Sequence, residues 1–374
     1  MYYVALRMLM GDTVKYLALV FGLAFSTLLV VQQGSIFTGI MRRTGANIET
    51  IPQADIWVMH PATRYYDEHK PIEDTALNRV RGVDGVDWAE KLFLGGGEAA
   101  LPDGTFAHCL IVGVDRNSKI GLPEVFTSGS PKGIELPDGV LWDNLGLALY
   151  MKIKDGDKLE INDRRAVVVG QVAAKRAFLS NPTIYTTYER ALAYAPGERK
   201  RLTFVVVHCK PGVDKTKVAR NIERVTDLGA KTTDEFFWST VAFFLKSTGI
   251  TINFGITIML GMIVGIAIAG QTFFTFTIEN EKQFGALKAM GVSNWKLCKM
   301  VMLQAAVVGV IGWGIGVGLS GLFGLRTDSR TIVAFLMTPQ LLLISFAIML
   351  FTITAAALLS IRRVVNIEPA IVFR

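Results

Sequence analysis

The sequence predicts an α+β membrane protein with four transmembrane helices, in the order one and then three, and a large extracytoplasmic α+β domain inserted between helices 1 and 2. Three observations predict this fold class. Of the 374 residues, 51% are hydrophobic and only 19% are charged, whereas soluble domains carry about 25% charged residues. Four long runs contain no charged residue. A polar segment with strand and helix patterns separates the first run from the other three.

Each charge-free run is long enough to cross a bilayer. The runs are Tyr16–Met41, Ser247–Ile278, Met300–Leu325 and Thr331–Ile361. A spanning helix needs roughly 20 apolar residues, and its backbone must satisfy its own hydrogen bonds in lipid. A buried core helix is the alternative for any single run. A cleaved signal peptide is the alternative for the first run, which is long and has no Ala-x-Ala cleavage site.

These runs divide the chain into seven segments. They are an N-terminal amphipathic segment with the first span (1–41), an outer domain (42–246), the second span (247–278), a cytoplasmic coupling helix (279–299), the third span (300–325), the fourth span (331–361) and a cytoplasmic tail (362–374).

The distribution of Lys and Arg predicts cytoplasmic termini. With that orientation, residues 1–16, 279–299 and 362–374 lie inside and carry nine basic and four acidic residues. Basic residues favour the cytoplasmic side of a membrane. Arg42 and Arg43 oppose this trend, but long translocated domains weaken the rule. The net charge of +7 therefore reflects topology and gives no reason to invoke nucleic acid.

Similar β-α-β patterns lie at the two ends of the outer domain. The first has strands at 54–59 and 83–88 around a helix at 73–81, with Asp74 or Thr75 as its N-cap. The second has strands at 203–208 and 230–233 around an amphipathic helix at 215–228. The repetition predicts one subdomain built from residues 42–91 and 201–246.

A β-rich insert is predicted over residues 92–200. Strand-like runs lie at 108–114, 158–162 and 166–172. Pro-Asp-Gly and Lys-Asp-Gly signals, which are typical of turns, separate them.

The cytoplasmic loop has the features of a short helix. Glu279 and Glu281 would lie in its first turn and Lys288 near its end, which suits the helix dipole. Gly291 is typical of a residue that ends a helix.

One face of this loop helix is apolar. Phe284, Leu287 and Met290 recur at helical spacing and share that face. Such a helix can insert into the groove of a partner. The composition equally allows an ordinary interfacial helix that lies on the lipid surface.

The loop also resembles the cytoplasmic motif of the FtsX-like permease family. That motif is commonly Glu-x3-(Ile/Phe)-Gly-x2-(Lys/Arg)-Ala-(Leu/Met)-Gly, and Phe284-Gly285 and Lys288 match it, with Glu279 or Glu281 as the acid. The chain end, with basic residues, Pro369-Ala and a final Arg, resembles the family's C-terminal pattern. Segments 121–125, 136–143 and 265–276 are most similar to DevC-type permeases.

The resemblance implies a non-catalytic subunit of an ATP-driven exporter. Members of this family are homodimers in the bacterial inner membrane, and their loop helix sits on a separate cytoplasmic ATPase. The outer domain of such exporters meets a periplasmic adaptor and, through it, an outer-membrane channel. The residues implied to couple to the ATPase are Glu279, Glu281, Phe284, Gly285, Leu287, Lys288, Met290 and Gly291.

Two further features of the residues agree with an external energy source. The four runs lack ionisable side chains, which ion-coupled transporters place within the membrane. The sequence also has no Gly-x4-Gly-Lys-(Ser/Thr) nucleotide loop. Both observations favour a separate ATPase and require no cofactor in this chain.

Small residues at four-residue spacing predict close helix packing. The pairs are Gly261 with Gly265, Gly312 with Gly316, and Gly314 with Gly318. Such spacing lets helices approach closely. The packing partner could lie in the same chain or in a second copy.

The outer domain gives no sign of a catalytic centre. Cys109 and Cys209 could form a disulfide in an oxidising compartment, and with His108 and His208 they could bind a metal if their strands were neighbours. Ordinary packing is the simpler interpretation, so we expect neither a catalytic nor a metal site.

The sequence is therefore interpreted as the permease subunit of an exporter, and its resemblance to DevC-type permeases implies a lipid-like or amphiphilic substrate. An FtsX-like relay that regulates a periplasmic cell-wall hydrolase is the alternative. A membrane-bound enzyme is a third possibility, but residues 42–246 show no catalytic constellation. Neither the substrate nor the helix that forms the dimer seam follows from the sequence.

Overall fold

The computed structural model describes residues 2–68, 70–145, 148, 151–175, 177–178, 181–195, 201–327 and 333–367. The chain forms two compact units. The membrane unit comprises Met1–Gly39, Gly249–Ser329 and Val333–Arg374. The sheet unit comprises Ile40–Thr248 and Arg330–Ile332.

The helices, in chain order, are α1 (Tyr2–Gly11), α2 (Thr13–Thr44), α3 (Ala76–Arg81), α4 (Tyr188–Tyr194), α5 (Lys215–Thr226), α6 (Thr233–Ser247), α7 (Ile250–Glu279), α8 (Glu281–Ala289), α9 (Asn294–Arg326) and α10 (Pro339–Val365). The strands are β1 (Ile56–Met59), β2 (Ile72–Glu73), β3 (Val86–Ala100), β4 (Phe106–Val114), β5 (Val125–Ser128), β6 (Gly139–Asp143), β7 (Lys158–Ile161), β8 (Arg164–Ala173), β9 (Thr183–Thr187), β10 (Arg201–Leu202), β11 (Phe204–Cys209) and β12 (Gly229–Thr232).

Within the described residues, four helices are long and apolar enough to cross a membrane: α2, α7, α9 and α10. The predicted one-plus-three arrangement is confirmed, with a mixed helix and sheet domain inserted after the first span. The fourth span begins at Pro339, eight residues later than the predicted start at Thr331. Thr338 ends the preceding irregular segment because its hydroxyl accepts the N–H of Leu341 (3.3 Å). Proline suits the first helical turn, where its missing N–H costs no hydrogen bond.

The sheet unit contains one ten-stranded sheet. Its main path is β12-β1-β11-β3-β4-β9-β6-β8-β5, and β7 pairs with both β3 and β8. Strands β3, β4, β9, β6, β8 and β7 therefore close a ring of six. The buried side chains of this ring include Cys109, Ile111, Trp142, Ile161 and Val168.

The long strand β3 joins the two halves of this sheet. Its first half pairs with β11 and its second half with β4. The expected strand at 83–88 is thus only the start of β3, which runs through the predicted boundary between residues 91 and 92. At Gly97 a Cβ would lie 2.6 Å from the side chain of Ile111, so the glycine allows close packing at this point of β3.

Helices α3 and α5 cover one face of the sheet. Val80, Val218 and Ile222 are buried there in one apolar cluster. Helix α5 begins at an N-cap, since the Asp214 carboxylate accepts the N–H groups of Thr216 and Lys217. By contrast α3 begins at Ala76, three residues later than expected.

Helix α6 was not predicted from the sequence. A capping box starts it: Thr232 Oγ1 accepts the N–H of Glu235 (3.2 Å), and the Glu235 carboxylate accepts the N–H of Thr232 (3.0 Å). Phe236 and Phe237 then lie buried in the sheet unit.

Candidate coupling site at the loop helix

A break at Asn280 separates α8 from the second span. Asn280 has φ −94° and ψ 13°, outside helical geometry. Its side-chain amide donates to the carbonyl of Phe276 (2.8 Å), and its own carbonyl accepts the N–H of Phe284 (3.1 Å). Glu279 is therefore the last residue of α7, whereas Glu281 is the first of α8.

A Schellman motif ends α8 at Gly291. The N–H of Val292 donates to the carbonyl of Leu287 (3.0 Å), and the N–H of Gly291 donates to that of Lys288 (2.9 Å). Gly291 has φ +86°, which glycine adopts readily because it has no Cβ. After two further residues the chain enters α9, so the predicted coupling segment 279–299 extends into the third span.

Phe284 lies inside the membrane unit and not on its surface. Its side chain is 0% exposed and belongs to one buried cluster with Leu297 of α9 and Val364 at the end of α10. Gly285 is also buried, and Leu287 is partly buried against the same cluster. Helical spacing located an apolar face, and in this chain that face packs against the chain itself. Contact of Phe284 and Leu287 with a partner stays a prediction.

The exposed apolar side chains of this loop lie at its C-terminal end, where α8 ends and α9 begins. Met290 is 72% exposed and Trp295, in the first turn of α9, is 70% exposed. Lys299 lies over the Trp295 ring at 5.3 Å. Met290 was predicted from the sequence but Trp295 was not, because the family motif ends before it. The signal available was an aromatic residue in the polar loop between two spans.

Two polar contacts hold α8 within the membrane unit, and a third holds the adjoining end of α7. Glu279 pairs with Lys15 at the start of α2. Arg363 Nη2 lies 3.1 Å from Glu281 Oε1. Lys288 Nζ donates to main-chain carbonyls at the end of α10.

Gln304 is a second polar residue that the sequence analysis missed. It is completely buried in α9, and its Nε2 donates to the carbonyl of Ala5 in α1 (2.7 Å). This bond ties the N-terminal helix to the third span. A lone glutamine in an apolar run is the signal that could have found it.

The predicted glycine pairs divide into two groups. Gly261 and Gly265 face Leu29 and Ser26 of α2, and Gly312 and Gly316 also pack on α2. These pairs therefore serve packing within one chain. A Cβ added at Gly314 or Gly318 would meet no atom within 4 Å among the described residues.

The two outer cysteines are far apart. Cys109 lies opposite Gly97, and Cys209 lies opposite Val86, eleven residues away along β3. At about 3.3 Å per residue the separation is roughly 36 Å, far beyond disulfide reach. All three cysteines are free.

The same register separates the two His-Cys pairs, and no metal-binding group of His, Cys, Asp and Glu occurs among the described residues. His208 instead takes part in a polar cluster at the start of β1. Its Nδ1 lies 2.8 Å from Asp55 Oδ2, and Lys215 Nζ lies 2.6 Å from Asp55 Oδ1. His69, Pro369 and the final Arg lie outside the described residues.

The four spans and the anchored loop helix define a multi-pass membrane protein with a large domain inserted after its first span. The C-terminal region, residues 255–369, matches the FtsX-like permease C-terminal family. Two uncharacterised ABC transporter permeases of Mycobacterium tuberculosis, Rv0072 of strain H37Rv and MT0078 of strain CDC 1551, are each 26% identical over 305 residues, which cover 81% of this chain and 79% of each relative. The chain is therefore a homologue of ABC transporter permeases with an FtsX-like C-terminal domain, as its loop motif indicated. This family implies a cytoplasmic ATPase partner.

Two solved structures are similar to part of the chain. One is the extracellular domain of the noncanonic ABC-type transporter YknZ from Gram-positive bacteria, with TM-score 0.36 and 11% identity over 48% of this chain and 98% of that one. The other is the periplasmic region of MacB from Actinobacillus actinomycetemcomitans, with TM-score 0.39 and 12% identity over 54% of this chain and 97% of that one.

Proposed function

We propose that this permease is the transmembrane subunit of an ATP-driven export complex and that its ATPase docks at the junction of α8 and α9. One observation carries this proposal. A short helix between two spans is fixed inside the chain by Phe284, while Met290 at the end of α8 and Trp295 in the first turn of α9 are exposed. A rigid support with exposed apolar anchors is the arrangement from which a partner's motion can be received.

The charge around the docking junction suits a partner surface with acidic groups. Lys282, Lys296 and Lys299 are exposed at this end of the membrane unit. Their charges would guide the approach of the ATPase, while the apolar side chains would supply most of the affinity. Glu281 is partly buried, with 17% of its side chain exposed, and pairs with Arg363 of the same chain.

The proposed topology follows from the basic residues. The N- and C-termini and α8 would face the cytoplasm, in the bacterial inner membrane, and the sheet unit would lie outside. The permease would act as a homodimer. Motion of the ATPase would pass through the spans to the sheet unit, which would work with a periplasmic adaptor, and through it an outer-membrane channel, to export a lipid-like or amphiphilic substrate.

Purification of the tagged chain from its native membranes tests this proposal. The complex would be extracted in mild detergent, identified by mass spectrometry and assayed for vanadate-sensitive ATP hydrolysis, beside an unrelated tagged membrane protein. We expect a P-loop ATPase and an adaptor to co-purify. An ATPase with a cell-wall hydrolase would favour the FtsX-like relay instead. Loss of any ATPase under conditions that preserve a control complex would refute ATPase coupling.

A further inference from the structure

The loop helix is attached to a span that is not its neighbour in the chain. Lys288 Nζ donates to the carbonyl oxygens of Val365 (2.7 Å) and Ile367 (2.9 Å) at the end of α10. The last carbonyls of an α-helix have no partner within the helix, and a cation there also interacts favourably with the helix dipole. Lys288 thus caps the fourth span from the loop helix.

Two other contacts connect the same pair of elements. Arg363 in the last turn of α10 pairs with Glu281 in the first turn of α8, at 3.1 and 3.4 Å to its two carboxylate oxygens. Between these polar contacts, Phe284 lies buried in one cluster with Val364 and Ile367. Both ends and the middle of α8 therefore engage α10.

The connections of α8 to α7 and α9 differ from its attachment to α10. Asn280 breaks the helix on the side of α7, and Gly291 with two non-helical residues separates it from α9. These breaks interrupt the helical hydrogen-bond ladder, so no continuous helix joins α8 to α7 or α9, although Phe284 shares its buried cluster with Leu297 of α9. The attachment to α10, by contrast, cannot change without unpairing charged groups and disturbing the packing of Phe284.

We propose that α8 and the cytoplasmic end of α10 move as one body, and that Lys288 is the positioning residue that locks them together. This inference rests on the proposed docking of the ATPase at α8. A displacement of α8 by the ATPase then reaches the fourth span directly, before it passes through the covalent links to the second and third spans.

Hydrogen exchange of the purified permease–ATPase complex tests this inference. Exchange would be compared between the nucleotide-free and vanadate-trapped states for residues 281–290 and 360–367. In the wild type both segments should respond to trapping. In Lys288→Met, which keeps the length of the side chain but has no donor, the response of 360–367 should fall by about fivefold or more, while 281–290 still responds. Lys288→Arg should restore it.

A charge exchange gives an independent test that does not depend on Lys288. Glu281→Arg and Arg363→Glu should each reduce the response of 360–367, and the double variant should recover it. An unchanged response in Lys288→Met and in both single charge variants would overturn the one-body attachment. If segment 281–290 were unaffected by the ATPase even in the wild type, the proposed docking site would be wrong instead. Each variant's melting temperature would show whether a loss of response reflects unfolding.

Discussion

Lys215 Nζ lies 2.6 Å from Asp55 Oδ1 and joins the first turn of α5 to the start of β1 in the sheet unit. The Asp55 side chain is only 11% exposed. Its other oxygen accepts the N–H of Cys209 (2.9 Å) and lies 2.8 Å from His208 Nδ1. The Asp55 carboxylate thus connects α5 with β1 and β11, two strands that come from opposite ends of the sheet unit's sequence.

Protonation of Asp55 should destabilise the sheet unit. Burial raises the pKa of Asp55, but the Cys209 N–H and Lys215 lower it by more, so the net pKa is below its ordinary value. A lowered pKa in the folded state gives stability that is present above the unfolded pKa of about 3.9 and is lost as the pH falls through the folded pKa. We expect Asp55→Asn to lose about 1–3 kcal/mol at pH 7 and to show a weaker loss of stability in acid. Thermal unfolding of the detergent-solubilised chain between pH 7 and pH 3 measures both effects.

Asp84→Asn is the matched control for this prediction, because Asp84 is exposed in a turn of the same unit. It should leave both the stability and its pH dependence almost unchanged. Equal melting curves for Asp55→Asn and Asp84→Asn at pH 7 would show that the cluster does not stabilise the fold.

Phe284→Ala should destabilise the membrane unit without removing an exposed contact. The substitution leaves a cavity beside Leu297 and Val364. Large-to-small changes of buried aromatic residues cost about 3–5 kcal/mol. We expect a lower melting temperature and a lower yield of folded protein in detergent. Normal stability with selective loss of the ATPase would instead mean that Phe284 contacts the partner.

Met290→Ala and Trp295→Ala should weaken the binding of the ATPase and leave the stability of the membrane unit unchanged. Both side chains are exposed, so folding should be unaffected, whereas an interface anchor contributes about 1–2 kcal/mol to binding, or roughly 5- to 30-fold in affinity. Titration of the purified ATPase against the solubilised variants measures the loss. Trp238→Ala provides a matched control, because Trp238 is 63% exposed in the sheet unit. Equal affinities for all three variants would place the ATPase elsewhere.

The sequence predicts which helices and strands form better than it predicts which residues they contact. The four spans follow from charge-free runs, since lipid excludes charged side chains and unpaired backbone alike. The loop helix follows from its spacing and from Gly291. Whether the apolar face of this helix points outward or inward does not follow from the sequence, because Phe284 would have the same spacing in either case. Phe284 is buried in a cluster that includes Val364, which lies 80 residues further along the chain.

The sheet unit shows a second limit. The Gly95-Gly96-Gly97 sequence favours a turn by local preference, yet all three glycines lie within β3. Pairing of β3 with β4 in the ring of six strands brings Ile111 next to Gly97, where a Cβ would lie 2.6 Å from the Ile111 side chain. Such a contact arises only when distant strands pair in the folded protein, so a short stretch of sequence cannot predict it.

Thiol reactivity should distinguish the three cysteines. Burial raises the pKa of Cys109 to about 12 and that of Cys209 to about 11. Because the thiolate is the reactive form, a maleimide should spare both in the native chain and modify the partly exposed Cys298 first. Mass spectrometry under non-reducing conditions should find one modification before denaturation and three after it. Only one modification after denaturation would reveal a disulfide and contradict the register of β3.

Substitution of Gly314 or Gly318, which lie four residues apart on α9, should have a different effect from substitution of Gly312 or Gly316, which pack on α2. A Cβ at Gly316 would lie 2.6 Å from the Ala24 carbonyl and 2.7 Å from the Thr27 side chain, so Gly316→Leu must separate α2 from α9 and lower the melting temperature. A leucine at Gly318 meets no described atom of the same chain, so Gly318→Leu should fold normally. If this open face forms the homodimer seam, Gly318→Leu should shift the mass measured by light scattering in detergent from dimer to monomer. A dimer that survives Gly318→Leu would place the seam on another span, whereas loss of folding in Gly318→Leu would show that this face packs within the chain.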